Sequence, residues 1–402
     1  MKQKLLTAAI AVIMLLALVG CGSQNTSNTT PNTTTTAPDT PSKENVAIAP
    51  ENPATGTNPA TATNPATEHS TKRTIVDLGG NQVEIPAISD IENVVIITPP
   101  VTSILLNVIP DKDMIVGLSP KAFAFSNADL MKKLFPNFKD VETSFIGDNF
   151  AVNTESLLKL NPDIILYYGE NQKKGIVNVG LPIIDFFPKG KADPRDVSIA
   201  WDNLLREIFA SDMSESLQTE WEALGKKSAD LLAARTGEPK SALCVFSNVG
   251  GSLVVSGSSS FDSYAESFFN KAGLRNVAAD IQGTAEVSME QIYQWNPDMI
   301  FVFHNAPAQA LLNNKIEGQD WSLLNAWQNK AIYDIPQTAY SWITPCADSP
   351  LLPLWLISKA YPELFSEAEF RTELGAYYDR FHQVTLTETE IDSILAYRKA
   401  QP

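Results

Sequence analysis

One pattern of apolar and polar positions occurs twice in the chain. Residues 152–168 read VNTESLLKLNPDIILYY, and residues 287–303 read VSMEQIYQWNPDMIFVF. In each copy a polar residue, Asn153 or Ser288, precedes a helical pattern, Asn-Pro-Asp follows it, and an uninterrupted apolar run comes next. Proline lacks a backbone donor and restricts the residue before it, and a continuously apolar strand is typical of a parallel sheet covered on both faces. Each copy therefore predicts a helix, a sharp stop and a buried strand.

Two copies of one helix-stop-strand unit predict two similar α/β lobes. Other apolar runs predict strands at 94–97, 114–118, 182–187, 241–246 and 331–335, and a hairpin at 74–86. Residues 214–234 carry apolar positions near helical spacing, which predicts a rigid helix of roughly 32 Å between the copies. We therefore expect two α/β lobes, each with a largely parallel central sheet, joined by one long helix. The expected boundaries are a first lobe at 73–212, a connecting helix at 213–237 and a second lobe at 238–402.

The amino end carries a targeting pattern. Two lysines precede an apolar run at 5–19, which predicts a secretory signal peptide at 1–20. The run ends in Leu-Val-Gly-Cys, which resembles the bacterial lipobox whose cysteine, here Cys21, is acylated after cleavage. Residues 21–72 are rich in Thr, Asn and Pro and predict a disordered tether. We expect an extracytoplasmic protein anchored to the bacterial cell membrane through lipid alone, on the outer face of the cytoplasmic membrane or in the periplasm.

Composition narrows the class of function. The 402 residues are 44% hydrophobic and 19% charged, which is enough apolar material for two globular domains. The net charge of −16 argues against a nucleic-acid partner, because such proteins need a basic surface. The motifs G-x-S-x-G, H-E-x-x-H, C-x-x-C and G-x-x-x-x-G-K are absent from the sequence, so we expect a binding protein and not an enzyme. An exported enzyme, a sensor or an adhesin on the same fold remains the alternative.

Several segments carry a family resemblance from about Thr74 to the carboxyl end. They are VDLGGNQVEIP, PPVTSILLNV, both repeat copies, WSLLNAWQNKAIYDIP and LWLISKAYPELF. With these segments the chain resembles the substrate-binding lipoproteins of iron-complex ABC importers, which serve ferric siderophores, haem and cobalamin. The resemblance implies a class III periplasmic-binding-protein-like fold, a monomer without intrinsic cofactor, and a metal chelate held between the lobes. It also implies delivery to a permease with its ATPase.

Proteins of this family dock onto their permease through two glutamates. The resemblance implies that the equivalent residues here are Glu155 and Glu290. Both occupy the same position of the repeat, close to the predicted helix start. The alternative role is local, since an acidic residue in a first helical turn complements the helix dipole.

The residues that follow the predicted strands are the candidate ligand contacts, because open α/β sheets bind ligands beyond the carboxyl ends of their strands. The candidates are Lys121, Phe123, Tyr168, Lys189, His304, Tyr340 and Trp342. Aromatic walls suit a large, flat or amphipathic ligand. Arginine is missing from these strand exits, which favours a hydroxamate-type ferric siderophore or a corrinoid over an anionic catecholate complex.

His304 is the one candidate metal ligand. It follows the strand of the second copy, where it can ligate haem iron or a metal in an incompletely coordinated chelate, or simply hydrogen-bond at a strand end. A site for a free ion is not expected, because such sites gather several ligands. Cys244 and Cys346 are expected as buried free thiols, with a disulfide between them as the alternative.

Overall fold

The computed structural model describes residues 71–212, 214–260, 263–303 and 307–396. The predicted signal peptide, the lipidation site Cys21, nearly all of the predicted tether and the candidate metal ligand His304 lie outside the described residues. Among the helices of these ranges, none combines the length and apolarity that crossing a membrane requires.

The first lobe contains a hairpin and a parallel sheet. Its strands are β1 (Arg73–Val76), β2 (Gln82–Ile85), β3 (Val94–Ile96), β4 (Ile115–Leu118), β5 (Ile164–Tyr167) and β6 (Ile183–Asp185). Its helices are α1 (Val101–Leu105), α2 (Lys121–Ala124), α3 (Ala128–Leu134), α4 (Thr154–Leu158) and α5 (Gly169–Lys173). β1 and β2 pair antiparallel, which confirms the predicted hairpin. The other four strands are all parallel, in the order β4-β3-β5-β6.

Two antiparallel helices lead from the first lobe to the second. They are α6 (Pro194–Phe209) and α7 (Leu217–Leu232), and α7 is the predicted connecting helix. The indole Nε1 of Trp221 on α7 donates to Ser198 Oγ on α6 at 2.9 Å. Beyond the end of α7, Arg235 Nη1 donates to the carbonyl of Gly273 at 3.0 Å. α7 therefore starts against the first lobe and ends against the second.

The second lobe repeats the parallel core and adds antiparallel strands. Its strands are β7 (Ser241–Val249), β8 (Ser252–Ser256), β9 (Arg275–Asn276), β10 (Thr284–Glu286), β11 (Met299–Val302) and β12 (Ile332–Asp334). Its helices are α8 (Ala265–Lys271), α9 (Met289–Trp295), α10 (Ala308–Leu312), α11 (Asn325–Gln328), α12 (Leu352–Ala360), α13 (Glu367–Tyr377) and α14 (Glu388–Ala396). The sheet order is β10-β8-β7-β11-β12, with β9 parallel to β7. Gly250 and Gly251, both at positive φ, turn β7 back into the antiparallel β8.

The repeated Asn-Pro-Asp segment builds the same corner in both lobes. Asn161 and Asn296 have φ of +47° and +37°, the left-handed conformation that asparagine tolerates at a helix end. The strand that follows is central in each case: β5 lies between β3 and β6, and β11 lies between β7 and β12. The predicted helix, stop and buried strand are confirmed in both copies.

The aspartate of each corner fixes the neighbouring strand. Asp163 Oδ2 accepts from the backbone N–H groups of Glu92 and Asn93 at 2.8 and 2.7 Å, just before β3. Asp298 Oδ2 accepts from the N–H and the hydroxyl of Ser241 at 2.8 and 2.7 Å, at the start of β7. Each aspartate thus accepts two hydrogen bonds at the start of the neighbouring strand.

The apolar core runs through both lobes. Alternate residues of a strand face opposite sides, so Val94 and Ile96 join one cluster, and Val95 joins another. The cluster of Val94 continues through α6 and α7 to Ala242 and Cys244 of β7. One continuous apolar core therefore extends from the first lobe into the second.

Polar contacts also join the lobes at two places. Asp193, the N-cap of α6, accepts from Lys271 Nζ at 2.5 Å and from Ser267 Oγ at 2.7 Å, both on α8. The last helix, α14, packs back on α3, where Lys133 forms an ion pair with Glu390 at 2.9 Å. Sequence reasoning gave residues 238–402 to the second lobe and did not predict that α14 contacts the first.

Candidate functional site

Four aromatic side chains meet where strands of the two lobes end. The ring of Phe125, after α2 of the first lobe, lies 6.4 Å from that of Phe303 and 5.7 Å from that of Tyr340. Phe303 follows β11 and packs edge-on against Phe246 of β7, with 5.3 Å between ring centroids. We call Phe125, Phe246, Phe303 and Tyr340 the cleft aromatic cluster. The carboxyl edges of the two sheets therefore face each other across an apolar seam, as an interlobe ligand site requires.

Tyr168 forms a second aromatic wall within the first lobe. Its half-buried ring packs edge-on against Phe187 at 5.1 Å and against Trp201 at 6.1 Å. Its backbone N–H donates to Gln172 Oε1 at 2.8 Å, which holds the exit of β5. Tyr168 thus lies at the predicted edge of the sheet with part of its surface accessible.

A buried carboxylate beneath this wall was missed by sequence reasoning. Asp185 Oδ1 accepts from the backbone N–H groups of Gly169 and Phe187 at 2.8 and 2.9 Å and so ties the exits of β5 and β6 together. Burial raises the pKa of Asp185, and nearby Asp77 adds to this effect, whereas the two backbone hydrogen bonds oppose it. A Cβ on Gly79 would lie 2.7 Å from Asp185 Oδ2, which explains the glycine in the hairpin turn. An aspartate at the end of an apolar strand was the available signal.

Lys121 lies directly beyond β4, as predicted. The residue is 8% exposed, and its Nζ lies 4.8 Å from the centroid of the Phe150 ring. Burial lowers the pKa of the Lys121 ammonium, while the charge of Asp148 acts in the opposite direction. Lys189, the other candidate cation, donates its Nζ to the carbonyl of Gly79, so the amino-terminal hairpin already uses it.

The remaining aromatic candidates have different surroundings. Phe123 stacks on Phe138 with 4.3 Å between centroids and is half-buried inside the first lobe. Tyr340 belongs to the cleft aromatic cluster, and burial raises the pKa of its hydroxyl well above the ordinary value.

Trp342 does not reach the cleft surface. Its side chain is fully buried, its Nε1 donates to Thr338 Oγ1 at 3.0 Å, and its ring packs edge-on against Phe370 of α13. The interpretation of Trp342 as a cleft wall is therefore corrected: the carboxyl-terminal helices enclose a loop that was expected to be open.

The two candidate docking glutamates occupy equivalent places. Glu155 and Glu290 are each the second residue of their helix, α4 and α9, and both are exposed. Asn153 and Ser288 cap these helices by accepting from the backbone N–H three residues on. Glu155 pairs with Lys159 at 2.8 Å, and a hydrogen bond from Ser288 lowers the pKa of Glu290. Because each helix turns sharply into its strand, both glutamates lie on the side where the strands end.

Cys244 and Cys346 are free and buried, which confirms the expected thiols. Burial raises the pKa of each to about 12, so neither is a ready nucleophile or metal ligand at neutral pH. Within the described ranges no group of three or more His, Cys, Asp or Glu side chains is placed to hold a metal ion.

Taken together, the fold and the seam define two α/β lobes whose sheet edges meet at an apolar contact. Comparison with known proteins agrees: residues 208–339 match the periplasmic binding protein family. The molybdate-binding protein MolA of Haemophilus influenzae is 27% identical over 259 residues, which cover 60% of this chain and 72% of MolA. The predicted family resemblance is confirmed, since the chain is similar to periplasmic solute-binding proteins that serve ABC importers.

Solved structures show the same fold over most of the chain. A periplasmic solute-binding protein from Veillonella parvula is 26% identical, with a TM-score of 0.69, over 82% of this chain and 98% of that one. MolA bound to molybdate is 24% identical, with a TM-score of 0.65, over 78% and 99%. Helicobacter pylori CeuE in a nickel–histidine complex is 20% identical, with a TM-score of 0.63, over 81% and 99%. The predicted two-lobed α/β fold is confirmed, and proteins of this family are extracytoplasmic.

Proposed function

We propose that this protein captures an iron complex, with a hydroxamate-type ferric siderophore favoured, and delivers it to an ABC importer. The cleft aromatic cluster is the observation that carries the proposal, because it is built from both lobes at the ends of their strands. A ligand at this seam contacts Phe303 and Tyr340 from one side and Tyr168 from the other. Apolar walls with few charged groups suit a chelate that carries little net charge.

Haem and corrinoids also need an apolar binding surface. They are therefore the alternative ligands for a protein with the same importer role. His304 follows Phe303 directly and is the candidate axial ligand for either iron or cobalt. Binding of haem with an imidazole ligation spectrum, lost in His304→Ala, supports this alternative over a siderophore.

A metal oxyanion is the second candidate, and one observation favours it. MolA, which shares 27% identity with this chain, is a molybdate-binding protein. Lys121 supplies a cation at the strand edge that is mostly buried and therefore suited to an oxyanion. The two candidates differ in ligand size, since a siderophore must part the aromatic cluster and molybdate need not.

Isothermal titration of the purified protein separates the candidates. The panel is a ferric trihydroxamate, a ferric tricatecholate, haem, cyanocobalamin and sodium molybdate. We expect saturable one-to-one binding of the ferric trihydroxamate and at least tenfold weaker binding of the catecholate complex. Selective binding of molybdate replaces the siderophore proposal with the oxyanion, and no binding of any probe contradicts both.

We further propose that Glu155 and Glu290 dock onto arginines of the permease and that Cys21 carries the lipid anchor. The double substitution of both glutamates by alanine should leave ligand affinity unchanged and reduce uptake by roughly tenfold, as loss of two charge-assisted contacts implies. Asp129→Ala, an exposed carboxylate on α3, is the matched control. Unchanged uptake in the double variant contradicts the docking role. If the Cys21→Ala variant still fractionates with membranes, the proposed lipid anchor is contradicted.

A further inference from the structure

We propose that Lys121 binds an anionic, metal-bound oxygen of the ligand and that Phe150 covers this lysine when the site is empty. The inference rests on the proposed function and adds a subsite to it. Lys121 is the first residue of α2 and follows the carboxyl end of β4, the sheet edge where a ligand is expected.

The Lys121 ammonium has an incomplete set of partners. It makes no hydrogen bond or salt bridge with any residue that the structure describes. Lys112, which is also partly buried, shows the usual solution, because its Nζ donates to the carbonyl of Leu134 at 2.6 Å. An ammonium has three donors, and Lys121 Nζ, which keeps contact with solvent, leaves them to water or to a ligand. An anionic oxygen supplies the missing acceptor.

Phe150 occupies the space in which that oxygen would lie. Its ring is the group over the Lys121 ammonium, with 4.8 Å between Nζ and the centroid. The ring face attracts a cation only weakly compared with an oxyanion. The same turn carries Asp148, whose carboxylate acts on Lys121 through space. The turn therefore presents to Lys121 a π face and a negative charge, which a ligand oxygen would replace.

The backbone of this turn is strained at the same residue. Phe150 has a φ of +62°, a left-handed conformation that is rare for a bulky side chain. The turn is closed by hydrogen bonds from Gly147 N–H to the carbonyl of Ala151 and from Phe150 N–H to the carbonyl of Gly147, both at 2.9 Å. A strained residue over an unpaired cation favours displacement of the ring when a better partner arrives.

The chemistry shared by the possible ligands is a negatively charged oxygen on a metal. Hydroxamate and catecholate complexes of iron carry it on the chelate, and molybdate carries it as the whole ligand. The site distinguishes these by how far Phe150 must move. A large chelate needs the ring displaced, whereas a small oxyanion fits beneath a modest shift.

Stopped-flow and equilibrium binding with three probes test the inference. The probes are a ferric trihydroxamate, a ferric tricatecholate and sodium molybdate. Lys121→Met keeps the apolar stem and should weaken the probe that wild type binds by at least tenfold, whereas Lys121→Arg should remain within about threefold. Lys112→Met is the matched control and should lower the unfolding midpoint without changing affinity.

Phe150→Ala and Phe150→Gly test the cover separately. Both remove the ring and should raise the association rate constant at least threefold. Only glycine accepts the positive φ freely, so Phe150→Gly should also unfold at higher urea concentration than Phe150→Ala. Wild-type affinity in Lys121→Met, or unchanged association in both Phe150 variants, overturns this inference alone. Failure of the wild-type protein to bind any of the three probes overturns the siderophore and oxyanion proposals with it.

Discussion

The two copies of the repeated segment start alike and end differently. Asp163 and Asp298 each accept two hydrogen bonds at the start of a neighbouring strand, so the corner has a structural role in both lobes. The first strand then leads to Tyr168 at a polar edge tied by Asp185, whereas the second leads to Phe303 in an apolar cluster. Repetition therefore defines the two facing edges, and the residues just beyond each strand define what they can bind.

The difference assigns distinct roles to the lobes. The first lobe supplies a mostly buried cation beyond β4, Lys121, together with the aromatic wall of Tyr168. The second lobe supplies most of the cleft aromatic cluster through Phe246, Phe303 and Tyr340. A ligand that needs both kinds of surface must contact both lobes.

The largest expected effect distinguishes a core aromatic from a cleft aromatic. Trp342→Ala should lower the free energy of unfolding by about 3–5 kcal/mol, because it removes a fully buried side chain packed on Phe370. Tyr168→Ala should cost much less stability and instead weaken ligand binding. Urea denaturation and calorimetric titration of both variants provide the check. If the Trp342→Ala protein is as stable as wild type but loses ligand affinity, Trp342 is a cleft contact and not a core residue.

The corner aspartates should give the next largest effect, and an equal one. Asp163→Ala leaves two backbone N–H groups unpaired at the start of a strand, and Asp298→Ala leaves one backbone N–H and the Ser241 hydroxyl. Each loss costs about 1–3 kcal/mol. Urea denaturation measures both, with the exposed Asp129→Ala as control. If the two substitutions lower the free energy of unfolding by amounts that differ severalfold, the two corners do not contribute equally to stability.

The smallest expected effect concerns the polar contact between the lobes. Burial opposes ionisation of Asp193, but hydrogen bonds from Lys271 and Ser267 outweigh it and hold the pKa of this carboxyl below its usual value. The lowered pKa means that the ionised form stabilises the fold above the ordinary aspartate pKa, and that this contribution is lost as pH falls through the folded value.

Asp193→Asn should therefore cost about 0.2–1 kcal/mol at pH 7, since the pair is partly exposed, and less near pH 3. Urea denaturation at both pH values measures the difference from wild type. Asp196→Asn, on the same helix and without a contact to α8, is the control. A cost that grows on acidification contradicts this assignment.

Local patterns were sufficient for most of the fold. The repeat, the hairpin and the connecting helix each have a period or a turn signal within their own residues, so the sequence predicted them. The short strands β9 and β10 were missed because they are two or three residues long and carry no alternation.

Long-range packing was not predictable in the same way. His382 is buried, with its ring nitrogens 2.7 Å from Asp348 and 2.9 Å from Asn107. Nothing near His382 in the sequence indicates either partner. Trp342 was misplaced for the same reason, because the residues that enclose it lie in helices after it. The turn at Phe150 was missed because positive φ at a phenylalanine has no sequence signal.

Hydrogen–deuterium exchange of the purified protein, with and without the probe that titration shows to bind, tests the central claim most directly. The claim is that one ligand is held between the carboxyl edges of two equivalent lobes. It predicts that saturating ligand slows amide exchange at residues 119–125 and 168–172 of the first lobe and at 336–342 of the second in the same experiment. Slowed exchange confined to one lobe, or located at the amino ends of the strands, would contradict the claim.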